Sequence, residues 1–147
     1  MTRPAENSTG DGASVYCYVQ YPDFEIERRG RVLLDEALEL IEEYPDDEAR
    51  TEFVMAQQEG EQACPPLVGF EDSRGGFVEL ATLTRGEHLL RVRARRERRL
   101  LLLRWRRWDE RCVAMSHIDP ARDVLRLFFQ GRHDRIWPLL RNFPTPE

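Results

Sequence analysis

A chain of 147 residues with 41% hydrophobic and 33% charged positions is one ordinary domain. At that length roughly 68–70% of the unfolded surface can be buried, without a disulfide or metal staple. The composition excludes a disordered or collagen-like chain, and no apolar block, Leu100 to Leu103 included, approaches the roughly 18–20 residues that cross a bilayer. The net charge of −5 hides a division. Residues 1–88 carry 7 Arg against 20 Asp and Glu, residues 89–147 carry 15 Arg against 7, and there is no Lys.

In chain order, residues 1–13 are polar and read as a loose tail with no apolar leader core. Ser14 to Gln20 is β-branched and aromatic, a strand ended by Pro22. Glu25 to Arg31 reads as a charged connection. Val32 to Tyr44 is the clearest helix: Leu33, Leu34, Ala37, Leu38 and Ile41 recur at helical spacing and Pro45 stops it. Thr51 to Gln58 reads as a strand, followed by a loop through Cys64-Pro65-Pro66. A meander comes next: Leu67 to Glu71, a turn at 72–75, Gly76 to Leu83, and a turn at Thr84 to Glu87. From His88 to Arg95 apolar and charged residues alternate with period two, one face in and one wet. Arg96 to Arg99 can turn the chain into a strand from Leu100 to Trp108. A tight turn at Asp109-Glu110 leads to a last strand, Arg111 to Ile118. Glu79 is placed to pair across the sheet with Arg91 or Arg93.

Asp119-Pro120 opens a C-terminal helix, Asp119 as cap and Pro120 in the first turn. Val124, Leu125, Phe128 and Phe129 form its buried stripe, and Gly131 ends it. The expected fold is α+β: an antiparallel sheet of about five to seven strands, with a helix from the N-terminal half and a C-terminal helix packed on it. The domain spans 14–143, with a short tail at 144–147.

Cys17, Cys64 and Cys112 are odd in number and widely spaced, which argues against a disulfide framework and for small buried hydrophobes. His88, His117 and His133 stand apart with no zinc-site spacing. Reduced thiols and the absence of a leader lead to a cytoplasmic expectation. There is no Gly-rich phosphate loop and no nucleophile elbow. Cys112 and His117 lie five apart, on opposite faces of a strand. The expectation is a binding protein rather than an enzyme, with no cofactor, no metal and no membrane contact.

Two charge clusters stand out. Glu42, Glu43, Asp46, Asp47 and Glu48 place five carboxylates in seven residues; read as a helix C-terminus and loop, they oppose the helix dipole and suit a basic partner. With Glu36 and Glu39 they form the expected partner-binding surface, Glu25 and Glu27 being second candidates. Arg91 to Arg111 holds ten Arg in 21 residues, with Trp105 and Trp108 inside. It reads either as the wet face of a sheet with a charged hairpin turn, or as a nucleic-acid surface. The acidic pI of about 5.3 speaks against the second.

The order of motifs adds one more expectation. A Leu-rich helix (DEALELIEEY) is followed by TEFVMAQQEG, a Pro-Leu-x-x-Gly element (PPLVGF), an open glycine hairpin (RGGFVEL), long strands and a Pro-initiated helix with Phe128-Phe129-x-Gly131 and Trp137. Over roughly residues 32–137 this resembles small immunity proteins of bacterial polymorphic toxin systems, the family often paired with deaminase toxins. The resemblance implies tight binding to a cognate nucleic-acid-targeting toxin, deaminase or nuclease, with occlusion of its cationic active-site groove. Phe128, Phe129, Gly131 and Trp137 then serve the fold rather than the contact.

Overall fold

The computed structural model describes residues 14–84 and 87–146, the side chain of Thr84 excepted. The polar tail 1–13 and the centre of the turn expected at 84–87 lie outside the described residues. Six strands form one antiparallel sheet in the order β2-β1-β3-β4-β5-β6: β1 (Val15–Gln20), β2 (Ile26–Arg31), β3 (Leu67–Asp72), β4 (Phe77–Thr84), β5 (Glu87–Leu100) and β6 (Leu103–Met115). Helices α1 (Leu34–Glu43), α2 (Asp47–Gln58), α3 (Asp119–Phe129) and α4 (Ile136–Leu140) join it, a short 3-10 turn (His133–Arg135) preceding α4. The α+β architecture expected from the sequence is the observed one.

Strand alternation sorts the residues. Val15, Cys17, Val19, Val68, Phe70, Val78, Leu80, Leu90, Val92 and Val113 share the face toward the helices and are buried. From α3, Val124, Leu125, Phe128 and Phe129 close over them, with Ile136, Trp137 and Leu140 from α4. The Phe129 ring meets Phe70 edge-on at 6.3 Å. Gly131 lies just beyond the α3 terminus with φ +72°, the left-handed conformation that glycine tolerates at a helix end.

Several expectations are corrected. Residues 51–58 belong to helix α2, not to a strand. Asp46 starts it by accepting a 2.8 Å bond from the Ala49 amide, and burial of Ala49 and Phe53 four residues apart outweighs the β-preference of Thr, Phe and Val. Residues 26–31 form edge strand β2 rather than a connection. All six of its residues are exposed, so no alternation marked it, and its charges suit an edge. Gly30, at φ +83°, sits by the β1–β2 irregularity.

The Arg-rich region is a single hairpin. Arg96 to Arg99 and Asp109-Glu110 do not turn; they are paired strand, from His88↔Met115 through Arg96↔Arg107 to Leu100↔Leu103. The turn is Leu101-Leu102, where nothing in the residue types announces one. In α3 Asp119 is the first helical residue, Ile118 holds the cap position and no side chain caps the end. The C-terminal segment stays on the sheet: the Ala114 amide donates to the Pro144 carbonyl at 2.9 Å and Arg111 donates to the Phe143 carbonyl at 3.2 Å.

Beyond Arg93, β4 no longer accompanies β5. There the Arg95 amide donates to His133 Nδ1 (3.2 Å), the Glu97 amide to Asp134 Oδ1 (2.8 Å), and the Trp137 indole to the Arg95 carbonyl (3.0 Å). The 3-10 turn and α4 thereby satisfy backbone groups that a neighbouring strand would otherwise take. Past Glu97 the hairpin continues as a two-stranded ribbon.

Candidate functional site

The seven expected partner-binding carboxylates do not form one knob. Glu36 accepts from the Leu33 amide at 3.0 Å and closes the start of α1. Glu36, Glu39 and Glu43 line a shallow depression of about 290 Å³ with Arg29 and Arg31 of β2, so cations already face them. Glu42 is ion-paired with Arg122, tying α1 to α3. Asp46, Asp47 and Glu48 are not a helix C-terminus; they are the cap and first turn of α2. There the dipole favours negative charge, and Asp47 additionally holds Arg50 at 3.1 Å.

The structure instead assembles an acidic cleft. It has a volume of about 690 Å³ and runs between α2, the Pro22-Asp23 corner after β1 and the segment 59–63. Asp23, Asp47, Glu48, Glu52, Glu59 and Glu61 line it, with no arginine among the lining residues. Met55 stands on the same wall, half exposed. Glu48, Glu52, Met55 and Glu59 follow at intervals of four, three and four, one stripe of a helix. Glu59 caps the C-terminus of α2, whose last turn holds no basic residue, so its charge opposes the dipole. Sequence reading missed Asp23, Glu52, Glu59 and Glu61. The stripe was visible in the spacing, but only to a reading that took 51–58 as helix.

The neighbouring side chains show how this end is held. The Tyr21 hydroxyl donates to Glu27 at 2.7 Å, and Arg29 donates to the same carboxylate at 2.8 Å. Both bonds favour the ionised form and pull Glu27 below the usual carboxylate range. The Tyr44 hydroxyl donates to the Gln20 carbonyl at 3.1 Å, and the Cys64 thiol to the Tyr21 carbonyl at 3.2 Å. These contacts fix the corner that carries Asp23. Glu25, the other second candidate, is exposed and does not line the cleft.

The face of the sheet away from the helices carries a separate polar network. Glu79 lies opposite Arg91 across β4 and β5 and binds it at 2.8 Å, as the alternation suggested. The Tyr18 hydroxyl donates to the same carboxylate. The Tyr18 ring lies across Gly69, where a Cβ would collide with it. Burial, then the hydrogen bond to Glu79, push the Tyr18 phenol far above its ordinary range. Arg91 stacks over Phe77 at 4.8 Å, and Arg93 and Arg95 over Trp108 at 4.8 and 5.3 Å.

All three cysteines are free thiols. Burial raises Cys17 to about 11 and also raises Cys64 and Cys112, which lowers their reactivity. His117 lies after the end of β6, outside the strand it was placed on. Among the described residues no three His, Cys, Asp or Glu side chains are grouped to hold a metal, and no helix is long and apolar enough to cross a membrane. No protein-family model, curated protein or solved structure matches this chain.

Proposed function

We propose that this protein is an immunity-type inhibitor that acts by binding: it seats the acidic cleft of α2 on a cationic surface of a cognate toxin domain and blocks access to that toxin's active site. The observation that carries the reading is the cleft itself, six carboxylates around one concavity with no arginine lining it. Such a concavity accepts guanidinium or ammonium groups from a convex basic segment, and Met55 supplies an apolar contact beside them. A toxin that acts on nucleic acid presents such a segment because it must hold phosphates. Complementary charge would speed the encounter, and desolvated pairs in the cleft would set the lifetime of the complex. The motif order that resembles toxin immunity proteins supports the same role. In this reading the contact face moves from the expected 36–48 cluster to Asp23, Asp47, Glu48, Glu52, Glu59 and Glu61.

The test is co-expression with the cognate toxin domain that this reading requires. The wild-type chain should restore growth, and a variant carrying Glu52→Arg, Glu59→Arg and Glu61→Arg should not, while folding with an unchanged circular-dichroism spectrum. Equal rescue by both would remove the cleft from the account.

A further inference from the structure

The other end of the sheet carries a surface of opposite character, outside the cleft and independent of it. The β5–β6 ribbon ends in Leu100, Leu101, Leu102 and Leu103, which are 62, 94, 100 and 67% exposed. Four adjacent leucines at a protruding apex are a contiguous apolar patch, not a scatter of single residues. The turn is also costly to form. Leu101 has φ +57°, a conformation that suits Gly or Asn and strains a side chain such as Leu. An exposed, strained leucine where turn chemistry calls for a polar residue serves something other than folding.

Directly behind the apex lies a basic collar. Residues 95–107 hold seven Arg and a single Glu. Arg99 stands opposite Arg104, and Arg96 opposite Arg107, two like-charge cross-strand pairs of the kind that destabilises a ribbon. Asp109 takes Arg96 and Arg98, and Glu97 takes Arg104. Among the described residues Arg99, Arg106 and Arg107 have no ion-pair partner, and all three are exposed. Trp105, opposite Arg98, is 43% exposed at the boundary between collar and apex.

We propose that this ribbon is a membrane-surface anchor, which docks on a bilayer containing anionic phospholipid. The leucine apex enters the acyl boundary, Trp105 lies at the interface and the arginines meet headgroup phosphates. The dimensions agree. From the Arg98↔Trp105 pair to the turn is three residues, roughly 10 Å at about 3.3 Å per residue, matching the roughly 5–10 Å to which interfacial segments sink. Strand pairing continues to Leu100↔Leu103, so the inserted backbone bonds to itself, as an apolar medium requires. Trp at the boundary and Arg behind it is the arrangement that interfaces favour. The acidic cleft does not oppose docking. It flanks the end where Gln20, Leu67, Ala81 and Leu89 lie in register, and from Leu89 to Leu100 the strand spans roughly 35 Å, several screening lengths of about 8 Å.

A nucleic-acid groove fits less well: wedges between base steps are single side chains, whereas this apex is four leucines wide. A second copy fits less well too: two tips packed together would set their arginine collars, seven Arg against one Glu over residues 95–107, in mutual repulsion. The absence of a spanning segment, which underlay the expectation of no membrane contact, does not bear on a surface anchor.

Flotation of the full chain with vesicles at about 0.15 M salt, where charges are screened over about 8 Å, tests this. Vesicles of phosphatidylcholine with phosphatidylglycerol should carry the protein, with a blue shift of tryptophan emission that Trp105→Phe removes. Vesicles of phosphatidylcholine alone should not. The pair Leu101→Asp and Leu102→Asp, at exposed positions, should abolish flotation with no loss of thermal stability. The pair Arg99→Glu and Arg104→Glu should weaken it by at least roughly fivefold per arginine. No flotation on anionic vesicles would overturn the proposal. So would flotation that survives the aspartate pair, since adsorption by charge alone needs no leucine. Tip-dependent retention of a DNA duplex with vesicles ignored would replace the bilayer with nucleic acid.

Discussion

The acidic end of the sheet and the arginine ribbon carry opposite charge, and they treat local stability differently. At the acidic end most charges satisfy the fold: Asp46 caps α2, Asp47 holds Arg50, Glu36 closes α1 and Glu42 pairs with Arg122. Glu59 departs from that pattern, placed against the dipole at the α2 terminus and beside Glu61 in the cleft. The ribbon departs at more positions, with Arg opposite Arg twice and a leucine at φ +57°. Residues that obey local rules are accounted for by the fold, while residues that break them are the ones a partner must explain.

The largest expected effect separates the two ends. Reversing Glu52, Glu59 and Glu61 to Arg should weaken affinity for the proposed cationic partner by about 100-fold or more, measured by titration calorimetry. The Leu101→Asp, Leu102→Asp pair should leave that affinity within about twofold, since the ribbon lies outside the proposed contact. Comparable losses from both variants would merge the two surfaces into one.

Between the ends, Glu79 joins Tyr18 and Arg91 on the sheet's open face. Glu79→Ala should cost about 2 kcal/mol in urea unfolding, because it leaves a part-buried hydroxyl and an arginine without their acceptor. A loss below about 0.5 kcal/mol would mean that water replaces the carboxylate.

Smaller effects sharpen the contrast. Asp46→Ala should cost about 1 kcal/mol through loss of the α2 cap and leave partner affinity unchanged, marking Asp46 as structural. On the ribbon the sign inverts: Leu101→Gly should raise stability by up to about 1 kcal/mol, and Arg107→Glu, opposite Arg96, by about 0.5 kcal/mol. Destabilisation by both would show that the ribbon is already optimised as structure.

Burial, with the charges of Arg50 and His117, lowers His88 below its ordinary 6.5. The unfolded chain therefore protonates first. This contribution to stability is whole above pH 6.5 and is lost as pH falls from there through the lower folded value. The Thr82 hydroxyl lies within hydrogen-bond distance of His88 Nδ1, at 3.1 Å. His88→Gln should flatten the melting temperature between pH 7 and 5; an unchanged slope would assign the dependence elsewhere.

Much of the fold was legible because burial wrote it as periodicity. Apart from Leu33, which is exposed at the α1 cap, the stripe of α1, the Val124 to Phe129 stripe of α3, and the alternation from His88 to Arg95 reappear in the core or along the sheet. Strand β2 was hidden because its exposed residues carry no alternation. Helix α2 was hidden because Thr51 to Met55 favours strand by residue type, while the decisive cap, Asp46, lies outside that window. That error concealed the site as well, since Glu48, Glu52, Met55 and Glu59 align only on a helix. The ribbon was cut at Asp109-Glu110 because polar residues suggest turns, whereas the real turn is leucine.

Amide hydrogen exchange of the complex with the cognate toxin domain tests the central claim most directly. The account predicts new protection over residues 21–24 and 47–63, the walls of the acidic cleft, and none over the ribbon tip at 98–105. Protection confined to 98–105, with 47–63 exchanging as in the free protein, would contradict it.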